Sequence, residues 1–360
     1  MSADRQPITI RDVAAAAGVS PSTVSRVLTD SVHVAEEKRA SVLAAIERLH
    51  FRPNLTARGL VRGRSWEIGV LAQGISSPFY SLVLAGIADG LQDSGYQPIF
   101  AEGYSAELAI RALSSFVDRR ADALIVVGGQ TPDELLLEVA EQLPVVAVGR
   151  SMSGRERQCL QVSHLEGAHA ATRHLIDLGH ERIAHITGLL SHPDSAERVA
   201  GYTRALREAG LLADPRLIVS GDWQEPSGLA GVETLFAREA AFSAIFAGND
   251  QMAYGAMLAL HQRGLQVPRD VSLVGFDDQS GASFTNPPLT TVHQPMQEMG
   301  RAAAQGVLRM LRGEPLELPV FATRLVVRAS TAPRCPEPRS GPDSRSWRGH
   351  SQSRSGGSLG

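Results

Sequence analysis

Hydrophobic positions recur at two different spacings in this chain, and the spacing changes along its length. Near the start, Ile10, Val13 and Ala14, then Val24, Val27 and Leu28, then Val42, Leu43, Ile46 and Leu49 fall three or four residues apart, the interval at which one helix face repeats. Thr9 with Asp12 three residues later reads as a helix start, Gly18 as a turn, and Ser20 before Pro21 as a second start. The pattern predicts helices from about Ile10 to Ala17, Pro21 to Leu28 and Glu36 to Leu49, the first two joined by one tight turn, which is a helix-turn-helix. The third starts after Ala35, which offers no capping side chain.

From Trp66 onward the rhythm is different. Short apolar runs at 68–71, 99–101, 123–127, 145–148, 183–186, 244–246 and 272–276 alternate with amphipathic stretches. Strand, helix, strand in this order predicts parallel sheets covered on both faces, with any ligand taken up beyond the carboxyl ends of the strands. After 330 the chain is rich in Pro, Gly, Ser and Arg and has little to bury, so 331–360 reads as a disordered tail.

The segment Thr9-Ile10-Arg11-Asp12-Val13-Ala14-Ala15-Ala16-Ala17-Gly18-Val19-Ser20-Pro21-Ser22-Thr23-Val24-Ser25-Arg26-Val27-Leu28 closely resembles the start of LacI/GalR-family repressors. In a helix-turn-helix the second helix enters the major groove, so the outward Pro21, Ser22 and Arg26 are candidates for base contacts, with Arg26 able to bond a guanine edge bidentately. Thr9, Ser20, Thr23 and Ser25 suit phosphate contacts or capping. Phe51-Arg52-Pro53-Asn54 leads into a stretch of barely two helical turns, about 54–62, too short to hold alone in water. It resembles the family's hinge helix, which implies that Leu60 wedges into the minor groove with Asn54 and Ala57 beside it.

The resemblance covers residues 8 to 330 and implies an α-helical helix-turn-helix headpiece (1–64) followed by an α/β two-lobed, periplasmic-binding-protein-like (type I) effector domain (65–330) whose lobes divide near 162 and 291. It also implies an effector held between the lobes by Gln73, Phe79, Tyr80, Arg150, Arg198, Trp223, Asn249, Asp277 and Gln294, with Asp278 as a spare acceptor. Arg198 lies in a segment similar to the family's R-x-x-G-[FYW], and Trp223 stands where sugar-binding members present an aromatic platform. Gly149 stands where many members carry Asp, which weakens the sugar assignment and leaves a nucleobase or a sugar phosphate as the alternative effector. The implied protein is a homodimer or tetramer that binds a pseudo-palindromic operator, its affinity set allosterically by a small sugar.

Charge fits this division. Residues 1–64 hold 10 Lys/Arg against 6 Asp/Glu, and 65–330 hold 20 against 30, a basic head on an acidic body. An enzyme lacks its usual parts: there is no G-x-S-x-G, no phosphate-binding G-x-x-x-x-G-K-[ST], and the single lysine, Lys38, lies in the head. Cys159 and Cys335 make neither a disulfide framework nor a metal site. Histidines at 164, 169, 174, 180 and 185 miss metal-binding helical spacing and read as surface and turn residues. No cofactor and no membrane span are expected, and the start lacks a secretory signal, which points to the cytoplasm.

Overall fold

A computed structural model describes residues 8–29, 34–51, 64–129 and 131–334. The headpiece helices form where the apolar spacing placed them: α1 is Ile10–Ala17, α2 Pro21–Thr29 and α3 Glu36–Leu49. Their shared core is Val13, Ala14, Val24, Val27, Val42, Ala45 and Phe51. Leu43, expected to face inward, is 50% exposed; Val42 and Ala45, three apart, fill that face instead.

The chain divides into two compact units, one of 1–161 and 296–320 and the other of 162–295 and 321–360. The first unit has a five-stranded parallel sheet in the order β2-β1-β3-β4-β5, with β1 at Glu67–Ala72, β2 Gln97–Glu102, β3 Ala123–Val127, β4 Val145–Val148 and β5 Cys159–Leu160. The inner strands β3 and β4 are buried at every position, as strands covered on both faces must be. Its helices are α4 Pro78–Leu91, α5 Ala106–Asp118, α6 Asp133–Gln142 and, after the chain returns, Met296–Leu311. At the sheet's entry, Asp122 accepts from the backbone N–H of Ser65 and Trp66 at 3.1 and 2.9 Å.

In the second unit α7 is His164–Asp177, α8 Pro193–Glu208, α9 Glu225–Ala237 and α10 Asp250–Gln262, so the returning helix 296–311 is α11. Its sheet runs β11-β10-β9-β8-β6-β7, where β6 is Ile183–Thr187, β7 Ile218–Ser220, β8 Ala244–Ala247, β9 Ser272–Asp277, β10 Thr290–His293 and β11 Arg324–Val326. All pairings are parallel except β10 with β11. The seven expected strands are present; β5, β7, β10 and β11 are additions of two to four residues, too short to show a pattern in the sequence.

Three further corrections concern boundaries and burial. The chain changes unit at 161/162, 295/296 and 320/321, so the lobe read as ending near 291 is completed by 321–334. The tail read as starting at 331 begins no earlier than Cys335, because Ala332 N–H donates to Ser272 and Arg334 N–H to Leu178. Finally, His164, His180 and His185 are buried rather than superficial. His180 is held by Ser243 and Ser272 hydroxyls and the Ala332 carbonyl, and His185 stacks between Tyr202 and Phe246.

Glycine sets how closely α4 and α11 approach. A Cβ on Gly86 would run into the Gln297 carbonyl, and one on Gly300 into that of Val83, so each helix presses backbone on backbone. Gly86→Ala therefore forces the helices apart and is expected to cost about 1–3 kcal/mol, the range for overpacking. Urea unfolding at unchanged slope should show the lowered midpoint; an unchanged midpoint would mean that the helices part freely.

Candidate DNA-binding face and effector site

The headpiece turn is made by Gly18 at φ +66°, whose N–H closes α1 on the Ala14 and Ala15 carbonyls. Ser20 then caps α2: its Oγ accepts from Thr23 N–H at 3.2 Å and lies 2.7 Å from the Ser22 hydroxyl. With α2 started there, Val24, Val27 and Leu28 turn into the core, and Pro21, Ser22, Ser25 and Arg26 share the opposite face. Pro21, Ser22 and Arg26 are exposed, as base-contacting residues must be. Thr9 is engaged in its own helix, where its N–H and hydroxyl both donate to Asp12, at 2.8 and 2.7 Å. Asn54, Ala57 and Leu60 lie outside the described residues.

In the first unit the expected residues stand at strand ends. Gln73, after β1, accepts from Tyr80 hydroxyl at 2.7 Å and from Gly129 N–H at 3.0 Å, which ties the β1 end to the turn after β3. Tyr80 is thus a brace, with Phe79 packed edge-on at 5.1 Å. Arg150, after β4, donates to the Thr131 carbonyl at 3.0 Å and pairs with Asp133, and its Nε is buried without a partner among the described residues. Gly149 has φ +68°, and among the described residues the space where a side chain would project is open, so no described residue fills the place of the carboxylate many family members carry there.

The second unit assembles a denser site. Arg198, in the second turn of α8, is 4% exposed, and its guanidinium lies 3.9 Å from the Phe276 ring centroid and 4.9 Å from that of Trp223. It donates to the Gly248 carbonyl and to His164 Nδ1 at 3.3 Å, and faces the Asp277 carboxylate at 3.6 Å. Because arginine only donates, His164 must accept at Nδ1 and carry its proton on Nε2, toward Asp194 at 3.4 Å. Burial, and then the Arg198 charge, push His164 down to about 4, so it stays neutral near pH 7.

Asp277 and Asp278 end β9 at φ +112° and +54°, positions that cost a non-glycine residue about 1–3 kcal/mol each unless the surroundings hold them. Asp277 accepts from Gln294 at 2.7 Å. Burial raises it to about 6, with Arg198 and Gln294 pulling the other way. Burial, then Asp277, also raises Asp250, which accepts from Gln279 N–H at 2.8 Å and Thr291 hydroxyl at 2.5 Å. Asp278 is no spare: Arg328 and His293 occupy its carboxylate. Asn249, read as an effector contact, has structural tasks, since its Oδ1 caps α10 and its Nδ2 donates to the Trp223 carbonyl at 2.9 Å. Trp223 itself is held at φ +76° with its ring against Gly188, where a Cβ would penetrate the indole.

Residues 9–54 match the bacterial regulatory proteins of the lacI family and 172–331 a periplasmic binding protein-like domain. Over 328 residues the chain is 35% identical to the HTH-type transcriptional regulator GalR of Escherichia coli (strain K12), covering 90% of this chain and 96% of that one. The chain belongs to the LacI family. Among solved structures, this LacI-family protein is similar to the lac repressor dimer bound to operator and the anti-inducer ONPF, with a TM-score of 0.82 at 29% identity over 91% of this chain and 100% of that one. It is also similar to a transcriptional regulator CelR-cellobiose complex, with a TM-score of 0.68 at 33% identity over 90% and 99%. It is therefore a DNA-binding transcriptional regulator of helix-turn-helix and periplasmic-binding-protein-like build; no described helix is long and apolar enough to cross a membrane.

Several residues that the structure brings into this candidate site were missed in the sequence. Phe276 is the last apolar residue of β9, where the strand pattern alone marks nothing but an apolar position, and His164 opens α7, where its spacing reads as that of a surface histidine. Gly188 follows β6 at a carboxyl strand end, the one signal that could have drawn attention to it.

One pH effect follows. A carboxyl whose pKa rises from 3.8 to about 6 on folding binds its proton more tightly in the folded state, so its contribution to stability falls as pH climbs from about 4 to 6 and is level above. For binding the sign is the reverse: below about 6 Asp277 loses the charge that faces Arg198. Effector affinity is expected to drop between pH 7 and 5.5 and Asp277→Asn to flatten that profile, as read by titration calorimetry; a profile equally steep in the variant would assign it elsewhere.

Proposed function

We propose that this protein is a repressor of a carbohydrate-utilisation operon that binds a pseudo-palindromic operator as a homodimer and whose affinity is set by a small sugar. The observation that carries the effector reading is the convergence, at the carboxyl ends of the second unit's strands, of Arg198, Asp277 and Gln294 with the Trp223 indole. A buried charged fork, a carboxylate and an amide beside one aromatic ring supply donors and acceptors for hydroxyls and an apolar surface for a ring face. The cellobiose complex among the similar structures agrees with this chemistry.

On the DNA, Arg26, Ser22 and Pro21 read bases, Ser20, Thr23, Ser25 and Thr9 meet phosphates, and Leu60 with Ala57 and Asn54 engages the minor groove. Calorimetry of the purified protein against D-ribose, D-galactose, D-glucose and cellobiose, followed by operator titrations with and without whichever binds, tests the whole reading. A sugar that binds and leaves operator affinity unchanged would refute it.

The headpiece can be tested separately. Arg26→Ala removes one charge and a bidentate base contact, so affinity for the specific operator should fall by about 1–3 kcal/mol, roughly fivefold to 150-fold, while random duplex weakens far less. Anisotropy titrations on the two DNAs measure the difference, and equal losses would reassign Arg26 to the phosphate backbone.

A further inference from the structure

Asp277 and Asp278 are adjacent, both are left-handed, and their carboxylates go to separate partners. Asp277 faces Arg198 and Gln294, whereas Asp278 takes Arg328 Nη2 at 2.6 Å and His293 Nδ1 at 3.0 Å. The end of β10 serves both, since consecutive residues His293 and Gln294 hold consecutive aspartates. Arg328 arrives from the segment beyond β11 and is itself fixed, donating from Nη1 to the Leu289 carbonyl at 2.9 Å and from its backbone N–H to the Thr290 hydroxyl at 2.9 Å. The Asp278 and Arg328 side chains are only 13% and 19% exposed, so this pair is poorly screened by solvent.

We propose that Arg328 and His293 are positioning residues of the effector site, which hold Asp278 so that the strained turn keeps the Asp277 carboxylate on Arg198. The proposal rests on the effector reading of Asp277. Two consecutive non-glycine residues stay in the left-handed region only where the surroundings over-determine them. Gln294, the Gln279 amide on Asp277, the Asp278 N–H on the Thr291 hydroxyl and the strand pairing of His293 with Asp277 supply part of that constraint, and the grip on the Asp278 carboxylate adds to it. Without Arg328, a half-paired carboxylate that is largely buried turns toward water and rotates the peptide it shares with Asp277. Arg328 thereby acts on the ligand through Asp278, while its own side-chain hydrogen bonds go to Leu289 and Asp278.

The experiment has a ligand-free arm and a ligand arm, each run on the full chain. Crystal structures of the wild type and of Arg328→Ala are expected to show Asp277 leaving the left-handed region and its separation from Arg198 growing beyond 3.6 Å; an unmoved Asp277 overturns the proposal. In calorimetry with D-galactose and cellobiose, Arg328→Ala should weaken whichever sugar binds by about tenfold, with Arg328→Lys largely restoring it and the double variant Arg328→Ala, Asp278→Asn no weaker than Arg328→Ala alone. Additive losses in the double variant would overturn it too. If Arg328→Ala does not fold, Asp278→Asn takes its place in both arms with the same expectations. Asp277→Asn separates the two ideas: a variant that binds sugar normally defeats the effector reading and leaves the structural arm to decide, whereas a weakened Asp277→Asn beside an unaffected Arg328→Ala defeats the positioning role alone.

Discussion

Arg198→Met is expected to abolish the effector's influence on operator binding while operator affinity without effector stays near the wild-type value. The methionine fills the slot between the Phe276 and Trp223 rings but offers nothing to the Gly248 carbonyl, His164 or Asp277. Breaking a buried pair by removing one partner costs about 3–5 kcal/mol, because the remaining charge is stranded. Asp277, raised by burial and no longer opposed by Arg198, escapes that cost by taking up a proton, which leaves an acid without charge where the effector needs an acceptor. The signature is operator titrations with and without sugar that superimpose, with a normal helical circular-dichroism spectrum. A variant that still responds to sugar would show that Arg198 is only a strut for the second unit's core.

Gly188→Val should have an effect nearly as large by a different route. A side chain at 188 occupies the space of the Trp223 indole, and the loop that carries Trp223 has little room to yield. Its backbone is already left-handed, its carbonyl is held by Asn249, and Asn249 is committed to the start of α10. The ring must therefore leave its place beside Arg198. Effector affinity is expected to fall by at least tenfold, the loss of one well-seated aromatic contact. Tryptophan emission of the ligand-free protein should shift to the red as the indole becomes wetter. Unchanged emission and affinity together would mean that Trp223 contributes nothing in its present position.

Much of the fold was legible because each segment's local signals agreed with its final surroundings. Gly18 had to be left-handed, Ser20 had to cap, and the apolar positions of α1 and α2 could meet only on one side. The inner strands announced themselves as unbroken apolar runs. Legibility failed where a residue's role is set by partners far away in sequence. Ser330 closes the second unit's sheet by accepting from Thr290 N–H and donating to the Leu273 carbonyl, a task that nothing around position 330 reveals. The histidines failed for the same reason: His185 is buried because Tyr202 and Phe246 flank it, and neither lies near it in the chain. In the candidate site, Arg198 and Trp223 were legible through the family resemblance, by the R-x-x-G-[FYW] segment and the aromatic position, and Asp277 by closing a strand where ligands are taken up. The structural bonds of Asn249 and Asp278 were not legible, because an amide or carboxylate at a strand end serves the backbone and neighbouring cations as readily as a ligand.

The three crossings of the chain between its units bear on how the protein is made. A ribosome releases residues in order, and domains complete themselves once their last segment has emerged. The headpiece can close as soon as its third helix is out. The first unit cannot, because the helix Met296–Leu311 that packs on α4 is nearly the last element synthesised, after every strand of the second unit except the final one. Until then the face of α4 that receives that helix, Gly86 included, lacks its partner, and transiently exposed surface of this kind is what makes folding intermediates prone to aggregate.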